Sequence, residues 1–150
     1  MILWSIIAVV GVILDQFTKY LVINNISPSD IVEVLPGVFE FVYVKNMGAA
    51  FNILSGKLGL LSIISVAFSV AVVVYMIVKK PQSRLFRIAL MLLVSGAVGN
   101  VTDRIFRGFV VDFIRLEFID FPVFNLADIF ITVGAVLYII YLLFFEAKKE

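Results

Sequence analysis

The chain contains no histidine and no cysteine. Without histidine there is no Ser–His or Cys–His catalysis and no imidazole metal site. Without cysteine there is no disulfide, thiolate nucleophile or iron–sulfur cluster. Proton chemistry near neutral pH is then left to a perturbed carboxylate, lysine or tyrosine. Charge is scarce too: Asp, Glu, Lys and Arg make up 15% of the 150 residues, against about 25% in an average soluble domain. The net charge is +1, and no basic patch points to nucleic acid. What the chain does have is apolar surface: 63% of residues are hydrophobic and the mean hydropathy is +1.14. A soluble domain of this length has too little interior to hide it, whereas a lipid solvent accepts it. The composition predicts an integral membrane protein forming a single domain over residues 1–150.

Apolar stretches at about 2–23, 58–78, 85–104 and 124–145 each approach the roughly 20 residues that a spanning helix needs. The third reaches that length only if it continues through Asp103. The first lacks the basic start and small-residue cleavage site of a removable signal peptide. The link between the second and third spans carries Lys79, Lys80, Arg84 and Arg87 with no acid. The positive-inside rule therefore puts this link in the cytoplasm, with both termini, and turns the 24–57 and 104–123 segments outward. Residues 31–45 read IVEVLPGVFEFVYVK, β-branched and aromatic around a Pro36-Gly37 turn. A small antiparallel sheet between helices 1 and 2 is expected there, on the outer membrane surface. Tyr43 is expected at headgroup level. The fold class is thus a mainly α membrane protein, a four-helix bundle with a small extracytoplasmic sheet. No internal repeat is evident.

Polar groups within a span are costly and therefore candidates for function. Asp15 lies in the first span with Lys19 one turn later. Asn100, Asp103 and Arg104 sit at the outer end of the third, Asn125 and Asp128 at the outer start of the fourth, and Asp112 in the link between them. The topology sends all of them toward one leaflet. Asn100 and Asp103 share a helix face at i, i+3, as do Asn125 and Asp128, so two helices can present amide–carboxylate pairs to each other. Gly96 and Gly99 let another backbone approach. Each feature also has a plainer explanation. Asp15 and Lys19 form an i, i+4 pair, with Lys19 snorkelling outward. Asn125 is an N-cap with Asp128 at N3. Asp103-Arg104 is a pair at the interface, and Asp112 a solvated loop acid. Gly48-Ala-Ala marks close backbone packing. The gathering of three acids and two Asn at one end of a small bundle is what these separate explanations leave unaccounted for.

Five ordered motifs carry a resemblance: Asp15-Gln-Phe-Thr-Lys19, Asn46-Met-Gly-Ala-Ala-Phe51, Gly96-Ala-Val-Gly-Asn100-Val-Thr-Asp103-Arg104, Val110-Val-Asp112-Phe113 and Phe124-Asn125-Leu-Ala-Asp128. Together they resemble the lipoprotein signal peptidases (signal peptidase II), aspartyl proteases of the bacterial cytoplasmic (inner) membrane. The resemblance covers the chain from first span to last. It implies a substrate: a prolipoprotein bearing diacylglycerol on its lipobox cysteine, cut just before that cysteine. It implies Asp112 and Asp128 as the catalytic pair. Asn100, Asp103, Arg104 and Asn125 are implied as support, and Asp15, Lys19, Asn46 and Gly48 as shaping the site or binding substrate. Asp103 competes with Asp112 as partner of Asp128. Asp112 is preferred because a flexible outer link lets it approach a peptide, and it is expected to hold the shared proton. Residues 31–51 are expected to cradle or cover the cleavage segment.

No metal or cofactor is required, because two close carboxylates sharing a proton supply the proton shuttle. Apart from substrate and membrane lipid no partner is expected, and the chain is read as a monomer. Two other classes compete. A small proton-coupled transporter would use Asp15 as its coupling acid, but transport sites lie near the midplane at a repeat interface, and these acids lean outward. A structural assembly subunit would use Gly96 and Gly99 as contacts; it leaves the carboxylates idle.

Overall fold

The computed structural model describes residues 2–48 and 56–146. Four helices dominate it: α1 (Ile2–Asn25), α2 (Leu58–Lys79), α3 (Arg84–Phe106) and α4 (Leu126–Tyr141), the last continuing into a π-helical turn, Leu142–Glu146. All four are long and apolar enough to cross a membrane. The third span does continue through Asp103, ending at Phe106. It begins where the Ser83 hydroxyl accepts a hydrogen bond from the Phe86 amide at 3.3 Å, capping the helix.

Helix α3 is the centre of the bundle and packs on the other three. In its most apolar stretch 61% is buried, against 17–22% in the others. Small residues make this possible, as the Gly96 and Gly99 spacing predicts. A Cβ on Gly96 would strike the Ala127 carbonyl of α4, and one on Gly99 would lie 2.5 Å from Oδ2 of Asp15. Away from α3, the helices turn apolar side chains such as Ile13, Ile63, Val78 and Ile139 outward, a surface suited to acyl chains rather than water. One core cluster joins Val72 and Met76 of α2, Phe86, Leu90, Met91 and Val94 of α3, and Tyr141. Its tightest ring pair is Phe86–Tyr141, with centroids 4.7 Å apart.

Strands β1 (Val32–Leu35) and β2 (Phe39–Asn46) form the expected hairpin. The Val38 amide donates to the Leu35 carbonyl at 2.9 Å, and Gly37 has φ +75°. This is a type II turn, in which Pro presets the first corner and Gly accepts the left-handed second. The sheet has a third strand, β3 (Val110–Leu116), antiparallel to β2 in the order β1-β2-β3. It comes from the 104–123 link, so the expected flexible link around Asp112 is corrected. Asp112 sits in a paired strand and is 3% exposed. The run Val110–Leu116 is β-prone, but its partner lies more than sixty residues earlier and leaves no local signal. Val22 and Ile26, at the end of α1, pack beneath Val111 and Phe113 and seat the sheet on the bundle. Tyr43 is half-buried in the sheet with Lys45 over its ring at 5.9 Å.

Replacing Gly96 by Ala should shift α4 away from α3 or strain both. We expect a destabilisation of about 1–3 kcal/mol, typical of overpacking, seen as a lower melting temperature in detergent. Gly59→Ala in α2, where a Cβ meets nothing within 4 Å, should leave melting unchanged or slightly raised.

Candidate active site

The polar residues singled out in the sequence come together at one end of the bundle. They lie beside the second half of α1, where α3 finishes, α4 begins and the sheet is seated. At the start of α4, Asn125 is the N-cap. Its Oδ1 accepts from the Asp128 amide at 3.0 Å, while Oδ2 of Asp128 accepts from the Asn125 amide at 3.1 Å. This reciprocal capping box is the plain explanation offered for the pair, and it is present. It leaves Oδ1 of Asp128 free to receive Nδ2 of Asn100 at 2.8 Å, and Nδ2 of Asn125 free to donate to Oδ1 of Asp112 at 2.6 Å. The capping residues are therefore also the site residues.

Asp112 is held from both sides. Its Oδ2 accepts from Nδ2 of Asn46 at 2.8 Å. Asn46 pairs with Val110 in the sheet, so the two side chains are diagonal neighbours on one face. The register slips between Phe41 and Val44, immediately before Val44 meets Asp112; such bulges re-aim strand side chains. The other end of the link is tied back as well, because Phe124 bridges to Ile114 through backbone bonds of 2.8–3.1 Å. That bridge delivers Asn125 to its position beside Asp112.

The amide orientations are dictated by neighbours that can act in only one sense. Lys19 has only N–H groups to offer and donates to Oδ1 of Asn100 at 2.9 Å. The NH2 of Asn100 must then face Asp128. The backbone N–H of Gly48 donates to Oδ1 of Asn46 at 2.8 Å, so the NH2 of Asn46 must face Asp112. Asn125 donates to Oδ1 of Asn100 at 3.1 Å as well as to Asp112. Each carboxylate thus meets amide donors.

Behind this layer lies an ionic one. Lys19 is fully buried and bridges Asp15 at 2.9 Å and Asp103 at 3.0 Å. The expected i, i+4 pair exists, but Lys19 points inward rather than snorkelling. Asp103 is likewise fully buried and is not part of an interface pair with Arg104. Its Oδ2 accepts the Val111 amide at 3.0 Å, fixing the strand one residue before Asp112. Oδ1 of Asp15 accepts the Ala127 amide at 2.9 Å, which satisfies an open N–H in the first turn of α4 from another helix. Sequence reasoning missed Gln16 and Arg107. Gln16 donates to Asp15, Asp103 and the Gly99 carbonyl, each at 3.1 Å. Arg107 pairs with Asp103 and donates to Oε1 of Gln16 at 2.8 Å. The i, i+4 spacing of Asp103 and Arg107 was the signal that would have found it.

Asp112, Asp128, Asn100, Arg104 and Asn46 open onto a groove of about 1090 Å³ that is also lined by apolar side chains, including Phe118, Phe121 and Ile131. Arg104 donates to the Gly48 carbonyl at 3.4 Å, and its buried Nε has no hydrogen-bond partner among the described residues. Of residues 31–51, expected to cradle or cover the cleavage segment, 31–48 are described and Asn46 and Gly48 line the groove, while 49–51 lie outside the described residues. No group of three or more acidic residues spaced to hold a metal occurs among the described residues. Burial pushes the Asp112 carboxyl up to about 7. The amide bonds from Asn46 and Asn125 and the charge of Lys19 oppose that rise, and the charge of Asp128 adds to it.

Four spanning helices with a pair of amide-held carboxyl groups at one end, beside a mostly apolar groove, define a multi-pass membrane protein with an enzyme-like polar site. Comparison with known proteins makes this specific. Residues 7–144 match the family described as signal peptidase (SPase) II, and the chain belongs to that family. It is 39% identical to a lipoprotein signal peptidase of Lactobacillus johnsonii over 97% of this chain and 95% of the relative. It is 37% identical to that of Clostridium acetobutylicum, over 97% and 96%. Among solved structures, a bacterial membrane enzyme determined by the in meso method at 2.3 Å resolution superposes with a TM-score of 0.93 at 38% identity, covering 100% of this chain and 93% of that one. A second, at 1.9 Å, gives 0.88 at 39%, over 97% and 95%.

The raised Asp112 has a consequence for stability. A carboxyl at about 7 when folded and 3.8 when free favours the folded state most below pH 3.8, and this stabilisation is lost as pH rises through 7. Asp112→Asn removes the dependence. The stability of the wild type relative to Asp112→Asn should therefore fall between pH 5 and 8, by an amount on the order of a few kcal/mol or less, seen as a falling difference in melting temperature. A flat difference across that range would contradict the assignment.

Proposed function

We propose that the chain is an aspartic endopeptidase that removes signal peptides from diacylglyceryl-modified prolipoproteins, cutting just before the lipidated cysteine. The observation that carries this reading is the convergence of Asp112 and Asp128 on one groove, each held by amide donors whose direction is fixed. Family membership gives the substrate class. The transporter alternative lacks support, since the carboxylates gather at one end of the bundle rather than at its middle.

Asp112, raised to about 7, carries the shared proton, and Asp128 receives one from water. Water attacks the scissile carbonyl carbon as Asp128 takes its proton and Asp112 gives its own to the carbonyl oxygen. A tetrahedral diol results. Asp112 then recovers a proton from one hydroxyl as the carbonyl re-forms, and the C–N bond breaks. Asp128 delivers its proton to the leaving amine. The pair ends as it began, with one proton between two carboxyl groups. Asn100, Asn125 and Asn46 orient the pair, and Arg104 and Gly48 flank the peptide. The apolar side chains of the groove accept acyl chains, which keeps the diacylglyceryl group in lipid while the peptide reaches the polar residues. Both termini and the basic 79–87 loop lie in the cytoplasm and the site faces outward, because that loop joins α2 and α3 at the end opposite the carboxylates. The enzyme works as a monomer in the bacterial cytoplasmic membrane.

Purified protein in detergent should cleave a lipidated prolipoprotein, and Asp112→Asn and Asp128→Asn should each abolish cleavage while melting cooperatively. Asp103→Asn should act through misplacement of β3. A folded, active Asp112→Asn beside a folded, dead Asp103→Asn would reverse the assignment. An unlipidated precursor should be a poor substrate, since each buried CH2 of its lost chains is worth roughly 0.8 kcal/mol. Equal turnover of the two would indicate a general peptidase.

Orientation has its own test, aided by the cysteine-free sequence. A Ser29→Cys variant should react with an impermeant thiol reagent in intact cells, and Gln82→Cys should be protected. The reverse pattern would invert the topology.

A further inference from the structure

We propose that Lys19 is a positioning residue that fixes the two proposed catalytic carboxyl groups relative to one another; the inference rests on the reading of Asp112 and Asp128 as the catalytic pair. An ammonium has three N–H groups, and the fully buried Lys19 directs them to three acceptors: Oδ2 of Asp15 at 2.9 Å, Oδ1 of Asn100 at 2.9 Å and Oδ2 of Asp103 at 3.0 Å. Each acceptor continues to a different part of the pair. Asp15 holds the Ala127 amide in the first turn of α4, the turn that carries Asp128. Asn100 gives its NH2 to Oδ1 of Asp128 itself. Asp103 holds the Val111 amide, adjacent to Asp112 in β3. One cation thereby links the helix bearing one carboxyl group, the strand bearing the other, and the amide that touches Asp128.

Charge neutralisation alone does not account for this arrangement. Asp103 already has Arg107 and Gln16 on its other oxygen. What Lys19 adds is direction. Being unable to accept, it keeps the oxygen of Asn100 turned inward and the donor turned to Asp128. Without it, that oxygen keeps one donor among the described residues, Nδ2 of Asn125 at 3.1 Å, which is shared with Asp112, so the amide is held less firmly against turning its oxygen onto the carboxylate.

Removing Lys19 alone would strand buried Asp15, whereas Asp103 keeps Arg107, so the test uses two charge-neutral pairs, Asp15→Asn/Lys19→Met and Asp15→Asn/Lys19→Leu. In both, the new Asn oxygen can still accept the backbone amide that the aspartate held. Cleavage of a lipidated prolipoprotein is measured in detergent, with folding followed by melting. We expect each pair to show a kcat at least tenfold below that of the single Asp15→Asn variant, with KM within threefold. A smaller drop in either pair, or a loss carried by KM, overturns the proposal. Failure of both pairs to fold where Asp15→Asn does also overturns it, since Lys19 would then serve the fold rather than the site. Wild-type cleavage in the same assay, and its loss in Asp112→Asn, test the underlying catalytic reading separately.

Discussion

A lysine ammonium without exposed surface, in a predominantly apolar bundle, is the constraint from which the polar end of this protein follows. Burying such a charge costs several kcal/mol unless it is paired and fully hydrogen-bonded. Lys19 meets that condition with two carboxylates and an amide oxygen. Its partners come from α1 and α3, so the two helices must approach closely. The glycine at position 99 is what admits Asp15 against α3. Buried ion pairs seldom add net stability over apolar packing. The return here is geometric: few arrangements of the chain satisfy all three bonds at once.

From that anchor the site is assembled by donors and acceptors that cannot exchange roles. Ammonium and backbone N–H groups only donate, and carboxylates lacking a proton only accept. Each asparagine between them is therefore oriented without choice. The outcome is a pair of carboxyl groups drawn from a helix cap and a strand, two elements with no local reason to meet. A capping box usually ends its work at the helix terminus; here its two members also contact Asn100 and Asp112, so helix initiation and site formation are one event. The low polarity around Asp112 lifts its carboxyl to about 7, within the range where a carboxylic acid can both hold and release a proton at physiological pH.

Position in the bundle sets what such a site can reach. The polar layer lies at the end of the bundle, and the groove in front of it is lined both by Asp112, Asp128 and Arg104 and by apolar side chains such as Phe118 and Phe121. A ligand that carries both a peptide and acyl chains matches that lining. The proposed activity on a lipidated precursor draws on this match as well as on the signal peptidase II family.

Much of this was legible in the sequence because its signals are local. Hydrophobic runs of bilayer length gave the four helices, Pro36-Gly37 the hairpin turn, and i, i+3 spacing the shared faces of Asn100 with Asp103 and Asn125 with Asp128. The ordered motifs identified the family. Other features required the tertiary structure. Asp112 read as a loop acid because the strand that buries it pairs with β2, more than sixty residues away, and strand pairing leaves no mark at its own position. Lys19 read equally well as snorkelling or buried, since helical periodicity gives a face but not what covers it. Gln16 and Arg107 acquire their role only when α1 and the end of α3 lie side by side. The sequence determines which groups are costly to bury; which partners meet that cost is decided by helix packing and strand register, which bring distant residues within 3 Å of one another.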